Sequence, residues 1–111
     1  MSEYKTLQEI KKTLGVSRRA VQGYEEMGLV AAAGKNKYGY LLYDEKGVKR
    51  IEQIRKYQQF GFQLKEIREL LNAPNHMIKN ALERRVEKMK EEQEKLNTLI
   101  VEAEALIKEL G

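Results

Sequence analysis

The chain of 111 residues contains no cysteine, no tryptophan, one histidine and one proline. Without cysteine it cannot build a disulfide framework, a thiolate zinc site, an iron–sulfur cluster or a thiol redox switch. A reducing compartment is the simplest setting. No apolar run approaches the roughly 20 residues needed to cross a bilayer, and the opening MSEYKTLQEI lacks the basic-then-apolar order of a secretory signal. The expected location is therefore the cytoplasm, with no membrane partner. The lone histidine, His76, has no cysteine or acidic cluster beside it in sequence, and no nucleophile–base constellation accompanies it. Neither a metal, a cofactor nor an enzymatic activity is expected. The Gly34-Lys35-Asn36 segment is no nucleotide-hydrolase phosphate loop, because the Gly-Lys step is not followed by Ser or Thr.

What the chain does have is an uneven distribution of charge. Its formal net charge is +4, yet residues 1–71 carry 14 Lys and Arg against 9 Asp and Glu, while residues 72–111 carry 7 against 8. Between Lys11 and Lys37 six basic residues face only Glu25 and Glu26. That stretch is the candidate polyanion-binding face.

Thr6-x-x-Glu9 has the spacing of a capping box, and Leu7, Ile10 and Leu14 recur on one helical face, predicting a first helix from Leu7 to Leu14 that Gly15 ends. Ser17 then caps a second short helix with Val21 and Tyr24 facing inward and Gly28 near its stop. Two helices joined by GVS make a helix-turn-helix candidate. From Ala31 to Tyr43 the chain turns to AAAGKNKYGYLLY, with turn residues at Gly34 and Asn36 and a run of β-formers, predicting a two-stranded hairpin. Along its second strand Tyr38 and Tyr40 would share one face, and Leu41 and Tyr43 the other. Asp44 caps a third helix with Val48, Ile51, Ile54 and Phe60 at helical spacing up to Gly61; a fourth runs from about Leu64 to Leu71 with Ile67 inward.

The residue before Pro74 is pushed out of helical geometry, so the globular part is expected to close there. The domain division is 1–74 and 75–111. In the second part Leu82, Val86, Met89, Gln93, Leu96, Ile100, Ala103, Ile107 and Leu110 alternate gaps of four and three, which is the seam of a coiled coil. Leu99 and Leu106 widen that seam toward the C-terminus, where it is expected to meet the globular domain of a partner. The glutamates Glu91, Glu92 and Glu94 point to different outward faces and read as a solvated surface. Such a stripe needs another helix, most simply its own copy.

The ordered set LGVS-R-R, YEEMGLV, GY-x-LYD and GF-x-LKEI, followed by a coiled coil, resembles the MerR family of bacterial transcriptional regulators. The resemblance covers the chain from Thr6 onward. It implies a mainly α fold: a winged helix-turn-helix domain with a small β-hairpin wing, then a long C-terminal coiled-coil helix. It also implies a homodimer joined by antiparallel helices that binds double-stranded DNA at a palindromic promoter, with RNA polymerase as a further partner there. Many members sense a metal, oxidant or drug through a further C-terminal region; here the sequence stops with the coil, so either it is a shortened form of a longer chain or its regulation comes from elsewhere. Two positions depart from the family pattern. Gln22 and Leu41 stand where phosphate-contacting arginines are usual.

Under this resemblance the DNA-contacting residues would be Ser17, Arg18, Arg19, Gln22 and Tyr24 of the second helix and Lys35, Lys37, Tyr38, Tyr40 and Tyr43 of the wing. A recognition helix enters the major groove with its N-terminal residues leading. Arginine in a first helical turn opposes the helix dipole by about 0.3–1 kcal/mol, whereas a bidentate arginine–guanine contact gives about 1–3 kcal/mol of base discrimination. Arg19 matches the family's arginine and is the better base reader. Gln22 suits either an adenine contact or simple solvation, and Gly23 either a close approach to DNA or tolerance near a helix end. Either Tyr40 or Tyr43 is expected to be structural with its hydroxyl turned to phosphate. The competing class is a dimeric winged-helix adaptor for a protein partner, a reading that the two absent arginines favour. Salt-dependent binding to duplex DNA separates the two.

Overall fold

The computed structural model describes residues 4–111. The chain divides into two compact units, the first ending at Asn72 and the second running from Ala73 to Gly111.

In the first unit, helix α1 (Leu7–Leu14) opens on a reciprocal cap. The Thr6 hydroxyl accepts the Glu9 N–H at 3.2 Å, and the Glu9 carboxylate accepts the Thr6 N–H at 3.3 Å. Helix α1 closes at Gly15, whose left-handed φ of 66° would strain any residue with a β-carbon, and whose N–H donates to the Lys11 carbonyl at 2.9 Å. Val16 is buried in the turn. Ser17 is extended and accepts the Ala20 N–H at 3.0 Å, starting helix α2 (Arg18–Glu26). The turn GVS thus supplies a helix stop, a buried anchor and a helix start in succession.

The wing contains one strand more than the hairpin the sequence predicts. Strands β2 (Gly34–Lys35) and β3 (Leu41–Tyr43) pair antiparallel, with Gly34 opposite Leu42 and Lys35 opposite Leu41. Strand β1 (Lys5–Thr6) pairs with the other edge of β3, placing Lys5 opposite Tyr43 and Thr6 opposite Leu42, so the order is β1-β3-β2. A two-residue strand that ends on a helix cap has no room for an alternating pattern. The wing strand is therefore central rather than an edge.

Asp44 caps helix α3 (Glu45–Phe60), its carboxylate accepting the Gly47 N–H at 2.8 Å. Gly47 is buried, and a β-carbon there would lie 3.3 Å from the Asp44 carboxylate and 3.5 Å from Tyr43 Cβ. The missing side chain lets α3 sit close against β3. Ile51, Ile54 and Tyr57 form its buried stripe. Tyr57, rather than the predicted Phe60, continues that stripe; Phe60 is half-buried, and Tyr57 meets Phe62 edge-on with ring centroids 6.0 Å apart. Beyond Gly61, helix α4 (Leu64–Leu71) buries Ile67 and Leu70. With Ile10, Val16, Val21, Tyr24, Leu29 and Tyr43 these residues make one core.

The second unit is a single helix, α5 (Asn75–Leu110), which follows Pro74 and has 36 residues. At 1.5 Å per residue it is about 54 Å long. None of its residues is buried. Leu96, Leu99, Ile100, Ile107 and Leu110 along the seam are all exposed, and surface ion pairs join Lys79 to Glu83 at 4.0 Å and Arg85 to Glu92 at 3.6 Å. No helix of the described residues is long and apolar enough to cross a membrane.

Candidate nucleic-acid interface

Helix α2 is anchored at one end and open at the other. Its C-terminal half makes three side-chain attachments to three different elements. The Tyr24 hydroxyl donates to the Gln58 side-chain oxygen of α3 at 2.5 Å. The Tyr43 hydroxyl of β3 donates to the Glu25 carboxylate, and the Arg68 guanidinium of α4 donates to the Met27 carbonyl, at the helix C-cap. In contrast, Ser17, Arg18, Arg19 and Gln22 in the N-terminal half are exposed. An element held by its rear end with cations at the front can enter a groove without losing its bearing on the domain.

Burial corrects two of the predicted contacts. Tyr24 retains 1% of its surface and Tyr43 none, and both hydroxyls already have protein partners. Neither ring can meet DNA while the domain is folded. Burial pushes the Tyr24 hydroxyl above the ordinary tyrosine range, opposed by the nearby Arg55 charge. Burial, the hydrogen bond to Glu25 and that carboxylate's charge push Tyr43 well above it. Of the pair Tyr40 and Tyr43, the structural residue is Tyr43, but its hydroxyl turns to Glu25 rather than outward.

The wing tip is built by Asn36. Its side-chain oxygen accepts the N–H groups of both Tyr38 and Tyr40 at 3.0 Å, its own N–H donates to the Tyr40 carbonyl at 2.9 Å, and Gly39 passes through φ 82°. This asparagine clasp makes Tyr38 part of a turn rather than of an extended strand. Tyr38 and Tyr40 are 71% and 63% exposed, with centroids 6.4 Å apart, and the Lys37 ammonium lies 5.1 Å from the Tyr38 ring centre. Lys35 and Lys37 are exposed on either side of Asn36. Gly23 has open space where a β-carbon would be, so the domain's own packing does not require a glycine there.

A groove that no motif announces runs between α1, the start of α2 and the wing, lined by Leu7, Lys11, Lys12, Arg18, Tyr40 and Leu41 among others. Arg18 faces this groove, whereas Arg19 does not line it. Its trace in the sequence is the Lys11-Lys12 pair in the last turn of α1, which opens the basic stretch from Lys11 to Lys37. Among the described residues no cluster of His, Cys, Asp or Glu is suited to hold a metal ion.

Comparison with known proteins matches this architecture over residues 5–111. Residues 5–74 match the signature of the MerR HTH family regulatory proteins, and residues 48–111 match that of the MerR DNA-binding region. The chain is 29% identical to the HTH-type transcriptional activator mta of Bacillus subtilis over 94 residues, 85% of this chain and 37% of that protein. It is 36% identical to the nodulation protein NolA of Bradyrhizobium elkanii over 70 residues, 63% of this chain and 32% of that protein. The chain thus spans about a third of the length of these relatives. Among solved structures it resembles the N-terminal part of MtaN, the Bacillus subtilis multidrug transporter activator, with a TM-score of 0.70 and 26% identity over 93% of this chain and 97% of that one. It shares its fold with HiNmlR, a MerR family regulator lacking the sensor domain and bound to promoter DNA, with a TM-score of 0.54 and 16% identity over 95% of this chain and 79% of that one. A helix-turn-helix with cations on its leading end, a three-stranded wing and a long apolar-seamed helix, in this order and with these matches, assign the chain to the MerR family of transcriptional regulators.

Proposed function

We propose that this protein is a sequence-specific DNA-binding transcriptional regulator that acts as a homodimer on a palindromic promoter site. The observation that carries this reading is the asymmetry of α2. Its rear half is tied to α3, α4 and the wing, while Arg18, Arg19 and Gln22 are free at its front. In this reading Arg19 reads a base edge in the major groove and Gln22 lies one turn behind it. Lys35, Lys37 and the Tyr38 and Tyr40 rings follow the flanking backbone.

Dimerisation through α5 supplies the two-fold symmetry that a palindrome requires, with Leu82, Val86, Met89, Leu96, Ile100, Ala103, Ile107 and Leu110 forming the seam and Gln93 its polar interruption. Left alone, a stripe of that length would be an exposed apolar patch. The pairing is antiparallel in this reading, and the promoter complex includes RNA polymerase. The protein acts on DNA rather than as an enzyme, in the cytoplasm.

Selection of bound duplexes from a random pool tests the function and reads the operator together. Recovery of an inverted repeat is the expected result. A pool that converges on nothing, with no salt-dependent retention of any duplex, would favour the adaptor reading instead.

A further inference from the structure

The wing strand offers no cation at Leu41, and the recognition helix offers none at Gln22. Positive charge instead collects in the groove that Leu41 lines. Lys11 and Lys12 of α1, Arg18 of α2 and Tyr40 and Leu41 of the wing all belong to its lining. No carboxylate lines the groove, and among the described residues none of the three cations is ion-paired. Leu7 and Leu41 are half-buried in its wall, while Lys11, Lys12, Arg18 and Tyr40 are exposed.

We infer that this groove is a binding site for the sugar–phosphate backbone of the duplex, with Lys11 and Lys12 as phosphate contacts supplied by the first helix. The inference rests on the DNA-binding reading above and deepens it. Three features favour a nucleic-acid strand over a small enclosed anion. The groove opens at the N-terminal end of α2, so a backbone beside the helix that enters the major groove passes through it. The first helix of a helix-turn-helix is the element that crosses the backbone. Its cations are long, solvated side chains that neutralise phosphate without desolvating it, whereas a small-ligand pocket needs buried polar groups to fix orientation, and none of the polar side chains that line this groove is buried. Tyr40 adds a hydroxyl and an aromatic wall suited to the sugar edge. The cation that Leu41 does not offer is thereby supplied by the first helix.

The test compares the full chain with Lys11→Ala/Lys12→Ala, Lys11→Arg/Lys12→Arg and, as a control on α5, Lys95→Ala. Each is titrated with the selected duplex and with a scrambled one across a range of salt. Removing one phosphate contact flattens the log–log salt dependence by about 0.9, so removing both lysines from both subunits reduces it by up to roughly 3.6. Affinity should fall for both duplexes in parallel, with their ratio kept, because phosphate contacts position rather than specify. The arginine pair should retain the wild-type slope, and Lys95→Ala should match wild type. Phosphate ethylation gives a readout that a general loss of stability would not mimic: the few positions whose ethylation weakens the wild type through this groove should no longer matter to the double-alanine protein, while the remaining positions keep their effect. If the wild type binds duplex but the double-alanine protein keeps its slope and its ethylation pattern, the groove assignment is overturned and the DNA-binding reading stands. If the wild type retains no duplex at low salt, both fall.

Discussion

Tyr43 of the wing strand and Glu25 of the recognition helix, 18 residues apart, are joined by a hydrogen bond from the tyrosine hydroxyl to the glutamate carboxylate. Tyr43 is fully buried, so this bond lies at the junction where β3 and α2 meet. The strand carries the exposed Tyr38–Tyr40 turn just before it, and the helix carries Arg18 and Arg19 one to two turns ahead of Glu25. This bond is the direct side-chain tie between the two parts that would contact DNA.

Tyr43→Phe keeps the ring and removes the donor. A hydrogen bond to a charged group contributes about 1.5–3 kcal/mol, with a penalty of the same order when its partner is left without a donor. We expect a lower thermal midpoint and, at temperatures where the variant is folded, weaker binding to the selected duplex from a wing no longer held to α2. An unchanged midpoint by circular dichroism would mean that water replaces the hydroxyl without cost.

The same pair predicts alkaline sensitivity. Tyr24 and Tyr43 both titrate above the ordinary tyrosine value of 10.0 in the folded chain. A group whose folded pKa is raised contributes stability that is complete below its unfolded pKa and declines as pH rises toward the folded one. Denaturant unfolding should therefore give no contribution from these tyrosines to a change between pH 6 and 9, and a decline above about 10. Tyr43→Phe should decline less steeply. Equal alkaline slopes in the two proteins would assign the decline to other groups.

Much of this arrangement was legible in the chain because its signals are local. Thr6, Ser17 and Asp44 are caps whose partners lie three residues on, and Gly15, Gly28 and Gly61 sit where positive φ ends or follows a helix. The α5 seam is a repeat, visible without a partner. What sequence missed is non-local. Strand β1 exists only because β3, which follows two intervening helices and the wing turn, pairs with it, so a two-residue segment gains structure from tertiary pairing rather than propensity. Tyr24 and Tyr43 carry hydroxyls that suit phosphate as well as they suit Gln58 and Glu25, and only packing decides between them. The same holds for Tyr38, which Asn36 pulls into a turn; Lys11 and Lys12 were legible as part of the basic stretch, but their place in one groove with Tyr40 and Leu41 comes from packing.

The seam of α5 gives a prediction on assembly. Leu96 is exposed in one chain and central to the heptad pattern. Leu96→Glu should convert a dimer to a monomer by sedimentation equilibrium at tens of micromolar, and should reduce binding to a palindromic duplex far more than binding to a half-site. A wild-type chain that sediments as a monomer at those concentrations would remove the basis for two-fold recognition.

Arg19 and Lys35 should fail differently. Arg19→Ala is expected to lower specific affinity by about 1–3 kcal/mol while leaving the thermal midpoint in place, because the side chain is exposed. Lys35→Ala should weaken selected and scrambled duplexes alike and flatten the salt dependence by about 0.9 per contact. Equal behaviour of the two variants would mean that Arg19 touches phosphate rather than a base.

Leu41 is the position at which wing and groove can be tested together. It shares a strand face with the fully buried Tyr43, yet is itself only half-buried and lines the same groove as Lys11 and Lys12. An arginine there can keep its aliphatic stem against the wall that leucine now covers and extend its guanidinium to the rim. Leu41→Arg should then add one phosphate contact per subunit and steepen the salt dependence of a dimer by about 1.8. Preferred sequence should not change, since the added contact reads no base. If the side chain were instead held inward beside Tyr43, the same substitution would bury an unpaired charge and lower stability. The two outcomes have opposite signatures in paired measurements. A steeper slope with a near-constant thermal midpoint supports an outward path for this side chain, whereas a depressed midpoint with an unchanged slope assigns Leu41 to the core. Combined with Lys11→Ala/Lys12→Ala, the arginine should restore part of the missing salt dependence only if both walls of the groove face the same backbone.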